Sequence, residues 1–233
     1  MIKFEHTETV GWEPAIRGMR NPMNSWEKSD SSFSCEHCEG CYYEPENNTI
    51  EFDGTDVHWC SHTKLFVGPN DLDLMTRLRM GGSDDRKFMR MLAVYVDITA
   101  PLYWWKEFDT YKVGTVANSC STMHKIHAKE FTLDDFSHEH LMSAGMDDLN
   151  FDIERLNYYR DMYLVGKDKI WWWHMIQRLP TSYNQKRTVM LNYEVLTNIY
   201  HARKTHKLDE WHDLCRWVEA LPYAKELILD GSN

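Results

Sequence analysis

The chain has 233 residues, of which 42% are hydrophobic and 27% charged, as in a globular protein with a substantial core. Its formal net charge of −10 at pH 7 argues against a general nucleic-acid-binding protein, which needs a basic face. No run of about 18 apolar residues predicts a membrane span, and the N-terminus lacks the apolar core of a signal peptide. We therefore expect a cytoplasmic protein with reduced cysteines.

The first third of the chain predicts two helices separated by a cysteine-rich insertion. A short helix ends near Asn21-Pro22, and a second helix begins at Pro69-Asn70-Asp71 and ends at Gly81-Gly82. Residues 31–66 contain four of the six cysteines, with Gly, Pro, Asn and Ser between them, and show little helical periodicity. We interpret this segment as an insertion within a single domain that comprises residues 1–233.

The stretch Asp97–His124 has the sequence features of a ligand site. The apolar run Leu92–Val96 predicts a buried strand that leads into it. Thr99–Pro101 then predicts the start of a helix, with a capping hydroxyl and a proline in the first turn, and Gly114 predicts its end. A loop of small polar residues follows from Thr115 to Thr122. A strand, a helix start and a polar loop in succession often present a binding site.

The second half of the chain predicts further helices, over residues 153–165, 170–178, 188–203 and 208–220. In the third of these, Asn192, Leu196, Ile199 and Arg203 are spaced by 4, 3 and 4 and would share one face. An arginine at the end of an apolar face needs an anionic or carbonyl partner. That partner is either a ligand or one of the many carboxylates of the chain.

The cysteine spacing suggests a metal site. Cys35-x-x-Cys38-x-x-Cys41 is followed by a lone Cys60, and four thiolates could bind zinc tetrahedrally or ligate an iron–sulfur cluster. The alternative is a polar loop with free thiols. A metal-stapled segment would also suit a scaffold protein that presents residues 31–66 as a contact surface.

Two segments together resemble the flavin-dependent thymidylate synthases (the ThyX family). The first runs from Ile98-Thr99-Ala100-Pro101-Leu102-Tyr103-Trp104-Trp105 to Ser121-x-Met123-His124. It is similar to the family's Pro-led apolar helix, which continues into Gln, an Arg-His-Arg triplet and a polar loop. The second, Arg178-Leu179-Pro180 with Asn192–Arg203, is similar to a Leu-Pro turn and a helix of the form Asn-x-Arg-x-Leu-x-Asn-Phe-x-x-x-Arg. Here Thr110-Tyr111-Lys112 replaces the Arg-His-Arg triplet.

The resemblance implies an α/β fold of the α+β type, with a mixed sheet and flanking helices, that assembles as a homotetramer. The family uses FAD, NADPH and methylenetetrahydrofolate to methylate dUMP. Two functions therefore remain open beside the scaffold role. The chain is either a divergent thymidylate synthase-like enzyme acting on dUMP or a related pyrimidine nucleotide, or a flavin- or nucleotide-binding protein that has lost this activity.

Site residues follow from the resemblance position by position. Arg203 matches the arginine that binds the pyrimidine and helps to activate it, which is the catalytic role. The implied cofactor-binding residues are Tyr111, Lys112, Asn192, Glu194 and Asn198. The implied substrate-binding residues are Glu107, Ser121, Arg178 and Arg203. Glu107 stands where the family has Gln, and Glu194 stands where it has Arg.

Overall fold

A computed structural model describes residues 2–35 and 63–229 of the chain. The chain divides into two compact units, Met1–Gly11 together with Met89–Asn233, and Trp12–Phe88. Its strands are β1 (Lys3–Val10), β2 (Ser32–Cys35), β3 (Thr63–Phe66), β4 (Ala93–Pro101), β5 (Val116–Ser119) and β6 (Asn184–Asn192). Its α-helices are α1 (Trp12–Arg20), α2 (Pro69–Met80), α3 (Leu102–Phe108), α4 (Ser143–Gly166), α5 (Lys169–Arg178), α6 (Tyr193–Arg203) and α7 (Asp209–Glu219).

The larger unit contains a four-stranded sheet in the order β1-β4-β6-β5. Every hydrogen-bonded pair of neighbours in it is antiparallel. The predicted α/β class of the α+β type, with flanking helices, is confirmed. The sheet itself is antiparallel rather than mixed, because each strand runs opposite to its neighbour. Among the described helices, none is long and apolar enough to cross a membrane.

Strand β4 lies inside the sheet, between β1 and β6, and leads directly into α3. Val94, Val96, Ile98 and Ala100 are all buried, which is the two-residue period of a strand with one face in the core. The prediction of a buried strand over Leu92–Val96 is therefore confirmed, although the strand runs from Ala93 to Pro101.

The predicted helix start at Thr99–Pro101 is wrong by a few residues. Pro101 still pairs with β6 and serves as the extended N-cap of α3, so the helix begins only at Leu102. Sheet pairing along all of β4 overrides the local capping signals. The helix also ends at Phe108, well before Gly114, and part of the predicted loop is the edge strand β5.

The predicted helix over 188–203 is wrong in its first part. Thr188–Asn192 belongs to β6, and α6 begins at Tyr193. Val189 and Leu191 are both fully buried, and their spacing of two is the strand period. Pairing of β6 with the whole of β4 fixes this part of the chain as a strand.

Helices α4 and α5 pack together against the segment that precedes them. Their shared core contains Ile126, Phe131, Phe136, Leu149, Ile153, Leu156 and Met175. The predicted apolar face of α4 is confirmed at Ile153 and Leu156, which are buried, but Met162 points to the opposite, exposed side. The helix also begins ten residues earlier than predicted, at Ser143.

The smaller unit contains α1 and α2, both as predicted, together with the antiparallel pair β2 and β3. These two strands lie at the beginning and the end of the predicted insertion 31–66, whose middle lies outside the described residues. A buried ion pair between Arg20 and Asp71 joins α1 to α2, with Nε at 2.6 Å from Oδ1.

Candidate functional site

Arg203, the last residue of α6, has two fixed polar contacts. Its Nε donates to the hydroxyl of Tyr111 at 2.8 Å, and its Nη1 donates to Glu107 Oε2 at 3.0 Å. The guanidinium carbon lies 4.6 Å from the ring centroid of Trp211 and 5.6 Å from that of Tyr111. Such distances allow cation–π attraction to both rings. The arginine is therefore held between two aromatic side chains.

Glu107 is the hub of this group. Its Oε2 accepts from Arg203 Nη1 and, at 2.9 Å, from Trp211 Nε1. His206 Nε2 lies 3.3 Å from the same oxygen. We call Glu107, Tyr111, Arg203, His206 and Trp211 the Arg203 cluster. Arg203 was expected to need an anionic or carbonyl partner, and a carboxylate of the chain itself, that of Glu107, is this partner.

The short helix α3 determines where Glu107 lies. Trp104, Trp105 and Phe108 are buried on its inner side and anchor it. Trp104 packs against Trp211 of α7, with ring centroids 4.8 Å apart. Since Glu107 adjoins Phe108 at the end of the helix, this packing brings its carboxylate to α7 and to the end of α6.

The Arg203 cluster remains accessible to a ligand. The side chain of Arg203 is 19% exposed and that of Glu107 is 37% exposed. Within the described part of the chain, Nη2 of Arg203 has no hydrogen-bond partner. The cluster can therefore offer a charged N–H donor, flanked by aromatic rings, to a flat group that carries a carbonyl oxygen.

The segment Tyr111–Gly114 contacts both ends of α6. Tyr111 meets Arg203 at the end of the helix, and Gly114 approaches Asn192 at its start. Asn192 is the N-cap of α6, and its Oδ1 accepts the N–H of Val195 at 3.0 Å. Asn192 therefore does not share a helical face with Arg203, contrary to the sequence prediction, because it is the last residue of β6.

The other predicted cofactor residues have different surroundings. Glu194 forms an ion pair with Arg90, whose Nε and Nη2 both contact its carboxylate. Lys112 and Asn198 are exposed. Lys112 has no salt-bridge partner within residues 2–35 and 63–229.

Two predicted substrate residues lie apart from these contacts. Ser121 closes a tight turn, in which its Oγ accepts the N–H of His124 at 2.9 Å and of Met123 at 3.2 Å. Arg178 reaches Asp152 at 3.4 Å in an exposed pair. Of the predicted substrate residues, the described contacts join only Glu107 to Arg203, together with Tyr111 from the cofactor set.

Sequence reasoning missed Trp211 and His206. Both lie beyond the segments that carry the ThyX resemblance, and their spacing from Arg203 follows no motif. The one available signal was the aromatic residue in the first turn of α7, next to the acidic pair Asp209-Glu210.

The predicted metal ligands lie largely outside the described residues. Cys35 is the last residue of β2, whereas Cys38, Cys41 and Cys60 fall in the part of the chain that the structure does not describe. In the described ranges, no group of three or more His, Cys, Asp or Glu side chains is arranged to hold a metal ion. The cysteine site stays a prediction.

No protein-family sequence model and no curated protein sequence matches the chain. The fold does match solved structures. A Helicobacter pylori thymidylate synthase ThyX with FAD and dUMP has a TM-score of 0.60 and 15% identity over 98% of this chain and 96% of its own. A second structure of ThyX from Helicobacter pylori, complexed with FAD and dUMP, has a TM-score of 0.61 and 16% identity over 98% and 97%.

The chain has the ThyX fold. A third protein, the UMP/dUMP methylase PolB from Streptomyces cacaoi bound with 5-Br dUMP, has a TM-score of 0.58 and 10% identity over 97% of this chain and 93% of its own. The resemblance found in the sequence is confirmed at the level of the fold. At these identities the ThyX fold places no individual residue in a role, so the roles of Arg203 and its neighbours rest on the geometry described above.

Proposed function

We propose that this protein is a divergent ThyX-like enzyme that binds FAD and acts on a pyrimidine nucleotide, dUMP or a close relative. Its fold, shared over nearly the whole chain with proteins whose structures contain FAD and dUMP or 5-Br dUMP, supports this proposal. The reaction would be a reductive methylation, in which bound FAD supplies the hydride chemistry. NADPH and methylenetetrahydrofolate are the expected co-substrates, and a homotetramer is the expected assembly.

The Arg203 cluster is the observation that carries the proposal. Arg203 would bind a carbonyl oxygen of the pyrimidine through Nη2 and stabilise negative charge that develops on it. Tyr111 and Trp211 flank the guanidinium and would restrict the approach to a flat ring. Glu107 would orient Arg203 through Nη1 and set how much of its charge the substrate meets.

The residues beside the cluster fit a flavin. Lys112 is an exposed cation in the segment that follows α3, and would face the pyrophosphate of FAD. Asn198, exposed on α6, would contact the flavin ring system. Asn192 already uses its amide oxygen to cap α6, so we assign it to holding the start of this helix in place rather than to a direct contact with FAD.

Absorbance spectroscopy tests the proposal. Purified protein should be yellow, or should bind added FAD, and dUMP should perturb the flavin spectrum. The variant Arg203→Ala should keep bound flavin and lose the dUMP response, whereas Arg203→Lys should keep part of it. Colourless protein that ignores added FAD would overturn the proposal.

The negative charge of Glu107 supports a second candidate function, that of a binding protein without enzyme activity. Because this carboxylate neutralises Arg203, the fold could serve to bind a flavin or nucleotide without thymidylate chemistry. Expression in a thymidine-requiring bacterial strain separates the two functions. Rescue that is lost in Arg203→Ala identifies an enzyme, while flavin binding without rescue identifies a binding protein.

A further inference from the structure

A cleft lies between the end of α4, the beginning of α5 and the loop that carries His124 and His127. Its volume is about 420 Å³, which is within the range of small-molecule sites. It is lined by His124, His127, Tyr163, Lys167, Lys169 and Trp172, and we call it the lysine cleft. It shares no lining residue with the Arg203 cluster.

The loop wall of the lysine cleft is fixed to both helices. Arg160 of α4 donates through Nε to the carbonyl of His127 at 3.1 Å, and Trp172 of α5 donates through Nε1 to the carbonyl of Met123 at 2.8 Å. His127 also packs edge-on against Tyr163, with ring centroids 4.8 Å apart. The cleft is therefore formed before any ligand arrives, which lowers the entropic cost of binding.

The lysine cleft is cationic, although the chain carries a net charge of −10. The ammonium of Lys167 lies 5.2 Å above the Tyr163 ring, and that of Lys169 lies 5.9 Å from the Trp173 ring. In the described ranges neither lysine has a carboxylate partner. The ammonium of Lys167 thus lies over an aromatic wall of the cleft, Lys169 lines the cleft as well, and neither positive charge is neutralised by an ion pair among the described residues.

Lys167 occupies a backbone conformation that usually favours glycine. It caps the end of α4 in the left-handed region, with φ of 53°. A lysine there carries a small conformational cost that Gly or Asn would avoid. The side chain of Lys167 lies over the cleft, and a role in binding a ligand there would explain why the conformational cost is tolerated.

The surroundings of His127 favour an anion in the lysine cleft. Its Nδ1 is buried and has no hydrogen-bond partner among the described residues. Burial lowers the pKa of its imidazole, and the positive charges of Lys167, Lys125 and Arg160 lower that pKa further. An anion in the cleft would relieve the positive charge that surrounds this ring.

We propose that the lysine cleft binds the phosphate or diphosphate group of a small phosphorylated molecule. Lysine ammonium groups are point charges suited to phosphate, whereas carboxylate recognition usually relies on the planar fork of arginine. The inference concerns a site separate from the Arg203 cluster and does not depend on flavin or pyrimidine binding.

Isothermal titration with inorganic pyrophosphate at constant ionic strength tests the proposal. The variant Lys167→Gln/Lys169→Gln keeps both side-chain stems and should bind pyrophosphate at least about tenfold more weakly, because hydrogen bonds to charged groups are lost. The control Lys3→Gln/Lys225→Gln removes two exposed lysines that do not line the cleft, and its affinity should stay within about twofold of that of the unmodified protein.

Several results would overturn the proposal. These are the absence of pyrophosphate binding, equal binding by the Lys167→Gln/Lys169→Gln variant, and tighter binding of citrate than of pyrophosphate. Histidine proton spectra locate the bound anion. The His127 signal, identified by its loss in His127→Gln, should shift on addition of pyrophosphate, and binding without that shift would place the anion elsewhere. Because these measurements use protein without FAD or dUMP, their failure is distinguishable from failure of the proposed enzyme function.

Discussion

Glu107 controls how much of the charge of Arg203 is available to a ligand. Its Oε2 accepts from both Arg203 and Trp211, and the carboxylate cancels the guanidinium charge at short range. A glutamine at this position could accept the same hydrogen bonds without a negative charge. The glutamate therefore weakens the attraction of Arg203 for the charge of an anionic nucleotide, but leaves Nη2 able to donate to a neutral carbonyl oxygen.

We predict that Glu107→Gln tightens dUMP binding by about tenfold, since removing the competing charge frees interaction energy of the order of a charged hydrogen bond. Titration calorimetry with dUMP in the presence of FAD measures the change. The matched control is Glu154→Gln, which neutralises an exposed glutamate on α4. An unchanged or weaker dUMP affinity in a folded Glu107→Gln protein would contradict the role given to this carboxylate.

For a single residue such as Arg203, the sequence predicts the kind of partner but not which residue it is. The need for an anionic or carbonyl partner follows from the chemistry of arginine alone. The identity of that partner does not, because Glu107 lies 96 residues away and meets Arg203 only through tertiary packing. Trp211 enters the cluster for the same reason, through its contact with Trp104.

At the scale of an element, Gly114 joins the segment after α3 to the start of α6. Its φ is +74°, and a Cβ there would lie 2.7 Å from Asn192 Nδ2 and 3.1 Å from Val195 Cγ2. Gly114→Ala should therefore lower the free energy of unfolding by about 1–3 kcal/mol and displace the capping amide of α6. Urea denaturation measures the loss, and weaker FAD binding should accompany it.

Gly82→Ala is the control for that change. No atom lies within 4 Å of the Cβ that it would add, and its φ is not positive. We expect stability within about 0.5 kcal/mol of the unmodified protein, as for an unconstrained surface position. Equal stability of the two variants would show that Gly114 and Asn192 are not packed as described.

The ion pair between α1 and α2 gives a prediction about pH. Asp71 is fully buried and accepts from Arg20, Ser29 and Ser31. Burial alone raises the pKa of Asp71, but the hydrogen bonds from Ser31, Ser29 and Arg20 outweigh it, so the pKa lies below its ordinary 3.8. The stabilisation is present above about pH 4 and is lost as the pH falls through the lowered pKa.

Asp71→Asn should therefore cost about 3–5 kcal/mol at pH 7, because it leaves Arg20 buried without its counter-charge. The difference from the unmodified protein, measured by urea denaturation, should shrink as the pH falls through the lowered pKa of Asp71. Asp73→Asn, on the same helix, breaks only an exposed pair with Arg77 and should cost about 0.5 kcal/mol or less. A cost for Asp71→Asn no larger than for Asp73→Asn would contradict this account.

Some elements were predictable from the sequence because their signals are local. Helices α2 and α5 have a proline or an aspartate at the start and a glycine or proline after the end. The boundary between β6 and α6 was not predictable from the sequence. Residues 188–192 form a strand because they pair with β4, more than 80 residues earlier in the chain. Asn192 before Tyr193 was nevertheless a readable N-cap signal.

At the scale of the whole molecule, α4 exposes an apolar stripe. Phe151, Tyr158, Met162 and Val165 are spaced by seven, four and three residues and share one face. All four are substantially exposed, including 56% for Phe151 and 89% for Val165. The opposite face of the helix carries the buried Ile153 and Leu156. Arg155 lies over the Phe151 ring within this stripe. An apolar stripe on a long helix is a surface that a second copy of the chain can cover.

We therefore predict that the proposed homotetramer uses this stripe, and that Phe151→Glu lowers the mass measured by sedimentation to that of a smaller assembly. A charge buried in an apolar interface without a partner is strongly unfavourable. Asn150→Glu adds the same charge at the neighbouring exposed position, about 100° around the helix, and should leave the assembly intact. If both variants remain tetrameric, the copies meet on another surface, and if the unmodified protein sediments as a monomer, the predicted assembly is wrong. In Phe151→Glu, dUMP binding should weaken as well only if a second copy on the stripe helps to complete the Arg203 cluster.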